Sequence, residues 1–338
     1  MNSLERMLDT FAGESVDRLA VQPIFMTLAA RLHGVTYSEY LLDHRVLVEA
    51  QLRMIEAFDV DVLTLCSDPC RETQDCGADV KWFADQPPAH DPLDPFLKDK
   101  SQLLALKQPD PLGGGRMHDR VNGAAYGRQQ VGDEVPVLGW VEGPMAQAAD
   151  MRGITEIMYD VVDDPCFVEE LFEFILEMET DFAKAQLDAG AHLIGIGDAA
   201  ASLVSPAVYS EIVFPYEKRL VDAIHALGAP VRLHICGNIT GHLPKIAELG
   251  VAMIDVDFLT DMADIREKLG PGPAILGNLD PVKYFLHSPA QDVKTALAEC
   301  HRQSVTKFIV GAGCEIPPGA KPANVRAMAE YAREAAVP

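Results

Sequence analysis

Residues 231–238 read Val-Arg-Leu-His-Ile-Cys-Gly-Asn. On a strand, residues two apart point to the same side, so His234 and Cys236 offer an imidazole and a thiol to one face. The stretch has counterparts on both sides. Ile194-Gly-Ile-Gly-Asp198 precedes it. Ile254-Asp-Val-Asp257, Ile275-Leu-Gly-Asn278-Leu-Asp280 and Ile309-Val-Gly-Ala-Gly-Cys314-Glu315 follow it. Each is a short β-rich run with polar or metal-binding residues at or just past its end. If the strands are parallel, those ends share one rim.

Working outward, strands are expected at Val21–Phe25, Asp61–Cys66, Val135–Trp140, His192–Ile196, Val231–Ile235, Met253–Val256, Ala274–Leu276 and Phe308–Val310. Helices are expected at Tyr37–Phe58, Pro165–Ala189, Pro206–Leu227, Gly241–Leu249, Asp264–Leu269, Ala290–Ser304 and Ala323–Ala335. The apolar stripe Phe167, Leu171, Phe174, Ile175, Met178, Phe182 has helical spacing. Pro165 and Pro206 sit where a first helical turn tolerates proline, and Gly190, Gly228, Gly250 and Gly270 sit where helices stop. Repeated strand–helix units imply parallel strands, and eight of them imply an α/β (β/α)₈ TIM barrel, here with an N-terminal elaboration. The whole chain, 1–338, is expected to be a single barrel domain. A proline- and glycine-rich excursion at about 87–134, read as a short helix at Lys98–Lys107 and a hairpin, would lie over the barrel mouth.

A formal net charge of −23 repels phosphate backbones and anionic lipid, so nucleic acid and membrane are excluded as partners. No apolar run is long enough to span a bilayer. The seven cysteines are odd in number and scattered, unlike a disulfide framework. The expected location is the cytoplasm, where thiols stay reduced and free to bind metal.

Cys314, from another strand end, can close a triangle with His234 and Cys236. Three nitrogen and sulfur ligands with a fourth position free describe a catalytic zinc site. A buried small residue is the plainer reading of each taken alone. Asp198 and Asp257 are the candidate catalytic carboxylates, either supporting the site or capping strand ends. Asn238 and Asn278 are the candidate cofactor-binding residues. Asp280, before Pro281, reads as a turn former, and Cys66 and Cys70 read as packing. Gly113–Gly115 has no following helix with a lysine, so it is no phosphate loop.

These stretches, together with Gln22-Pro-Ile-Phe-Met-Thr-Leu-Ala-Ala-Arg31, Gly143-Pro144 and Gly197-Asp-Ala-Ala-Ala-Ser-Leu-Val-Ser-Pro206, resemble the uroporphyrinogen decarboxylase superfamily from about residue 20 to 315. Within it the chain looks like the methylcobamide:coenzyme M methyltransferase branch. Where the decarboxylases carry Arg-Gln-Ala-Gly-Arg, this chain has Thr27-Leu-Ala-Ala-Arg31, one arginine fewer. Asp150 stands in place of the tyrosine after their Gly-Pro motif, and Cys314 in place of the histidine in their C-terminal Gly-His-Gly motif. Asp68 resembles their essential aspartate and points the other way. The resemblance implies zinc on His234, Cys236 and Cys314, a methylcorrinoid (cobalamin) donor on a separate carrier protein, and a small thiol acceptor such as coenzyme M. Alternatives are a corrinoid:tetrahydrofolate methyltransferase, a uroporphyrinogen decarboxylase and a non-catalytic barrel that binds a corrinoid protein.

Overall fold

The computed structural model describes residues 1–335. Seven parallel strands run in sequence order around a curled sheet. They are β1 (Leu63–Thr64), β2 (Val137–Glu142), β3 (Leu193–Gly197), β4 (Val231–Ile235), β5 (Met253–Val256), β6 (Ala274–Leu279) and β7 (Phe308–Ala312). The eighth place belongs to residues 20–22. Gln22 N–H donates to Val310 O at 3.0 Å and Val310 N–H to Ala20 O at 2.8 Å, while Asp61 N–H donates to Val21 O at 2.7 Å. The expected strand Val21–Phe25 is therefore a single bridge, Val21 to Val310. Pro23 has no N–H to give, so the ladder stops there. The fold is the α/β barrel type expected.

Alternation sorts the side chains. On β4, Val231, Leu233 and Ile235 join the large core between sheet and helices. Arg232 and His234, on the opposite face, enter the barrel. Leu138, Trp140, Leu193, Val62 and Cys66 form a separate buried cluster with Met7 of the N-terminal helix Ser3–Ala12, which plugs the barrel floor. A Cβ on Gly195 would lie 2.3 Å from the Trp140 ring, and one on Gly197 3.0 Å from it. The Gly195-Ile-Gly197 pattern thus makes room for one indole in a narrow interior.

The stretch 87–134 differs from expectation. It holds a 3-10 turn at Lys100–Ala105 and a long helix, Arg116–Val131, in place of a hairpin. This helix packs on the sheet as the connection between β1 and β2. Gly123 and Gly127 face Leu65 and Leu63, where added Cβ atoms would sit at 3.3 and 3.2 Å. Glycines and a buried Arg120 on that face blur the apolar stripe that marks a helix. Its start is capped from outside: Asp75 accepts Arg116 N–H at 2.9 Å and Met117 N–H at 2.8 Å. The expected helix Tyr37–Phe58 is two, because Asp43 caps a new start at His44. No helix among the described residues is long and apolar enough to cross a membrane.

Asp61 ties the seam. Its fully buried carboxylate accepts from Ser3 Oγ (2.7 Å), Arg6 Nη1 (2.7 Å), Arg18 Nη1 (2.7 Å) and Val21 N–H (2.8 Å). Asp61→Ala leaves two guanidiniums without this shared partner beside the seam. The expected loss is about 3–5 kcal/mol of unfolding free energy in urea titration. A loss below about 1 kcal/mol would mean that the seam closes without it.

Candidate metal centre

β4 ends inside the barrel, and its inward side chains lie one above the other. Arg232, deeper, is fully buried and donates to Asp255 Oδ2 at 2.5 Å. His234, nearer the mouth, pairs in register with Asp255 on β5. Its Nδ1 lies 3.3 Å from both the Asp255 carbonyl oxygen and the Asp255 Oδ2. With two acceptors at Nδ1, the proton belongs there, and Nε2 presents its lone pair toward the mouth.

Two sulfurs stand before that lone pair. His234 Nε2 is 3.1 Å from Cys236 Sγ and 3.9 Å from Cys314 Sγ, and the sulfurs are 3.6 Å apart. A tetrahedral zinc with bonds of about 2.3 Å to sulfur and 2.0–2.1 Å to nitrogen places its ligands about 3.6–3.8 Å apart. The triangle brackets those values, and the soft sulfur and imidazole donors match the metal. Among the described residues, these three are the one cluster of His, Cys, Asp or Glu able to hold an ion.

The electrostatics favour thiolate. The hydrogen bond from Cys236, with His234 adding to it, lowers the Cys314 thiol to about 5. The Cys236 thiol is pushed up, first by that same bond and then by burial. Burial works against a charged His234, yet the Asp255 carboxylate and Cys236 outweigh it and hold the imidazole well above its usual range. Without metal, a proton on His234 thus faces a Cys314 thiolate, and zinc would replace that proton.

Both cysteines sit on loops pinned by the β5 end. Asp257 accepts Gly237 N–H at 3.0 Å and Leu259 N–H at 2.9 Å. Gly313 lies against the same segment: a Cβ there would come within 2.4 Å of Phe258 N. Asn278 donates to the carbonyls of Asp257 (3.2 Å) and Thr260 (2.7 Å), fixing that loop in turn. Asp257 and Asn278 are therefore in place around the triangle, though through backbone and not at its open side.

Asp198 is elsewhere. Fully buried, it accepts Ala146 N–H at 2.6 Å and Met145 N–H at 3.4 Å, capping the helix Pro144–Arg152. Asn238 is exposed and accepts Thr240 N–H at 3.0 Å in a local turn. Neither joins the triangle. Asp255 is the residue that the sequence reading passed over. Its signal was a charge within the strand, placed by parallel register beside His234.

The triangle opens into a cavity of about 210 Å³, walled in part by Tyr37, Asp68, Trp140, Glu142 and Glu315. Arg116 grips Asp68 with two bonds, at 2.8 and 2.5 Å. Glu315 accepts from Thr27 N–H (2.7 Å) and Thr27 Oγ1 (2.6 Å). Burial and the neighbouring Glu72 push the Glu142 carboxyl well above its usual range. Arg31 is exposed and donates to Pro318 O at 2.7 Å, away from the cavity.

The Uroporphyrinogen decarboxylase (URO-D) family matches residues 2–335. A uroporphyrinogen decarboxylase of Pelobacter propionicus is 27% identical, covering 96% of this chain and 97% of its own. The methylcobamide:CoM methyltransferase MtbA of Methanosarcina mazei is 32% identical, covering 61% of this chain and 60% of its own. A solved structure described as a methyltransferase from Methanosarcina mazei superposes with a TM-score of 0.89 at 22% identity, over 99% of both chains. That last likeness concerns the fold.

Gly313→Ala is expected to push Cys314 off the triangle while the barrel stays folded. Zinc per chain, measured by mass spectrometry of the metal, should drop at least several-fold, with thermal unfolding little changed. Full zinc retention would show that the loop tolerates the Cβ. A second test reads the thiolate. Lowered to about 5, Cys314 is ionised above that pH and neutral below it. In metal-free protein its alkylation by iodoacetamide should rise through that range and level off above about pH 6. A rate that keeps climbing roughly tenfold per unit to pH 8 would mean an ordinary thiol.

Proposed function

This chain belongs to the uroporphyrinogen decarboxylase family, and within it we propose a zinc-dependent methyltransferase that moves a methyl group from a methylcorrinoid to a small thiol. The observation that carries this reading is the His234–Cys236–Cys314 triangle with its free side open to a small cavity. Zinc held there supplies a Lewis acid that keeps an acceptor thiol ionised near neutral pH.

The chain's own residues do the rest. Asp255 holds the His234 proton on Nδ1, so that Nε2 stays available. Asp257 and Asn278 set the Cys236 and Cys314 loops. Trp140 and Tyr37 line the cavity and help to keep it small. The acceptor sulfur loses its proton to solvent and forms a bond to the methyl carbon. The leaving group would be the donor's cobalt, which would keep the electron pair of the broken methyl–cobalt bond. The corrinoid would come on a carrier protein docked at the barrel mouth, and the acceptor would be a small thiol, the class to which the coenzyme M of the methyltransferase relatives' names belongs. To Asn238, exposed on the loop after β4, we assign a contact with the corrinoid. We assign the protein to the cytoplasm, where its thiols stay reduced.

The decarboxylase relatives favour a second reading, and the cavity weighs against it. About 210 Å³ is below the roughly 300–1,000 Å³ of pockets for drug-sized ligands, and a tetrapyrrole is larger still. Thr27 and the outward Arg31 leave no arginine to grip its carboxylates from that segment.

Purified protein should hold about one zinc per chain. Cys236→Ala and Cys314→Ala should each lose most of it, and lose thiol methylation from free methylcobalamin, followed by the corrinoid absorption spectrum. Uroporphyrinogen should yield no coproporphyrinogen. If both variants keep full metal and full transfer, the metal centre is not the active site.

A further inference from the structure

We propose that the acceptor thiol carries a cationic tail, and that this cavity selects against an anionic one. The inference rests on the thiol-transfer reading above and narrows its substrate class.

The charges around the cavity do not balance. Among the described residues no lysine or arginine lines it, whereas Asp68, Glu142 and Glu315 do. The guanidiniums behind the wall are already engaged. Arg116 is spent on Asp68 with both terminal nitrogens, at 2.8 and 2.5 Å, and is stacked on Trp82. Arg71 lies 2.7 Å from Glu72 Oε1 and 3.4 Å from Glu142 Oε1, so one cation serves two buried carboxyls. Arg232 sits beneath the triangle on Asp255. Glu315 receives only the neutral donors of Thr27.

Set against this, the metal centre contributes no positive excess. A divalent ion with two thiolates and a neutral imidazole sums to zero, and an incoming thiolate makes it negative. A sulfonate or carboxylate tail would thus leave water for a space lined by acidic side chains, with no lysine or arginine in the wall to receive it. An ammonium tail meets the opposite situation. Glu142 and Glu315 offer acceptors, and the rings of Trp140 and Tyr37 in the same wall offer π-systems that attract cations. The size agrees, since about 210 Å³ holds roughly seven waters at about 30 Å³ each, room for a short aminothiol.

Three thiols on one two-carbon stem test this: 2-aminoethanethiol, 2-mercaptoethanol and 2-mercaptoethanesulfonate, which is coenzyme M. Binding to the cobalt-substituted full-length protein is read at fixed pH from the sulfur-to-cobalt absorption band, with no corrinoid present. The aminothiol should bind at least tenfold tighter than the sulfonate, with the alcohol between. Glu142→Gln and Glu315→Gln should each shrink that ratio several-fold. Comparing ratios between variants cancels the thiols' own differences in acidity, and either variant suffices if the other fails to fold. A sulfonate that binds as tightly as the aminothiol overturns the proposal, as does a ratio unchanged in the variants. If no thiol perturbs the cobalt spectrum, the thiol-acceptor reading itself falls, and this inference with it.

Discussion

Asp255 Oδ2 lies between Arg232 at 2.5 Å and His234 at 3.3 Å, on a residue with no exposed surface. A lone carboxylate at that depth would be costly, and so would a lone guanidinium. Each is tolerable because the other is there, and their strands are neighbours in register. The pair in turn leaves the imidazole only one useful orientation. With Nδ1 committed to Asp255, Nε2 must face the mouth, where Cys236 and Cys314 lie. The orientation of the ligand triangle is set from below, by the Arg232–Asp255 ion pair against which His234 Nδ1 rests.

The sides of the triangle are held by backbone. The segment after β5 lies between two cysteine loops, bonded to Gly237 N–H by Asp257 and pressed against Gly313. A side chain at 313 would separate the loops, so a residue with no side chain stands there. Asn278 anchors the same segment from the next strand. Polar residues at successive strand ends therefore act as a set of struts. Asp198 is one too, but it braces the helix Pro144–Arg152 and leaves the cavity to Glu142 and Trp140.

The triangle and the barrel type were legible in the sequence because both rest on short-range rules. His234 and Cys236 share a face by the two-residue period, and Cys314 ends the last strand on the same rim. Strand-to-helix alternation marked the second half well, since its helices carry clean apolar stripes. The helix Arg116–Val131 was not legible, because its close packing on β1 uses Gly123 and Gly127 where a stripe would show leucines. The seam was hidden for a different reason. Pro23 cuts the ladder, and Asp61, Arg6 and Arg18 complete it with side chains that lie far apart in sequence. Asp255 was visible as a letter, but its role depends on which residue of β4 it faces, which only the register decides.

What the cavity can admit is set by a few wall residues. Thr27 shows how this works. By resemblance it occupies the place of a carboxylate-gripping arginine, and here its hydroxyl and N–H both go to Glu315. The exchange removes a cation from the wall and also supports an acid beside a metal-ligand candidate. Arg31, the arginine that remains, turns outward to Pro318. Asp68 is kept, but its carboxylate is closed off by Arg116. Neither Arg31 nor Arg116 turns a free guanidinium toward the cavity. The wall residues sit above the buried Arg232–Asp255–His234 stack and can vary without touching the ion pair that orients the triangle.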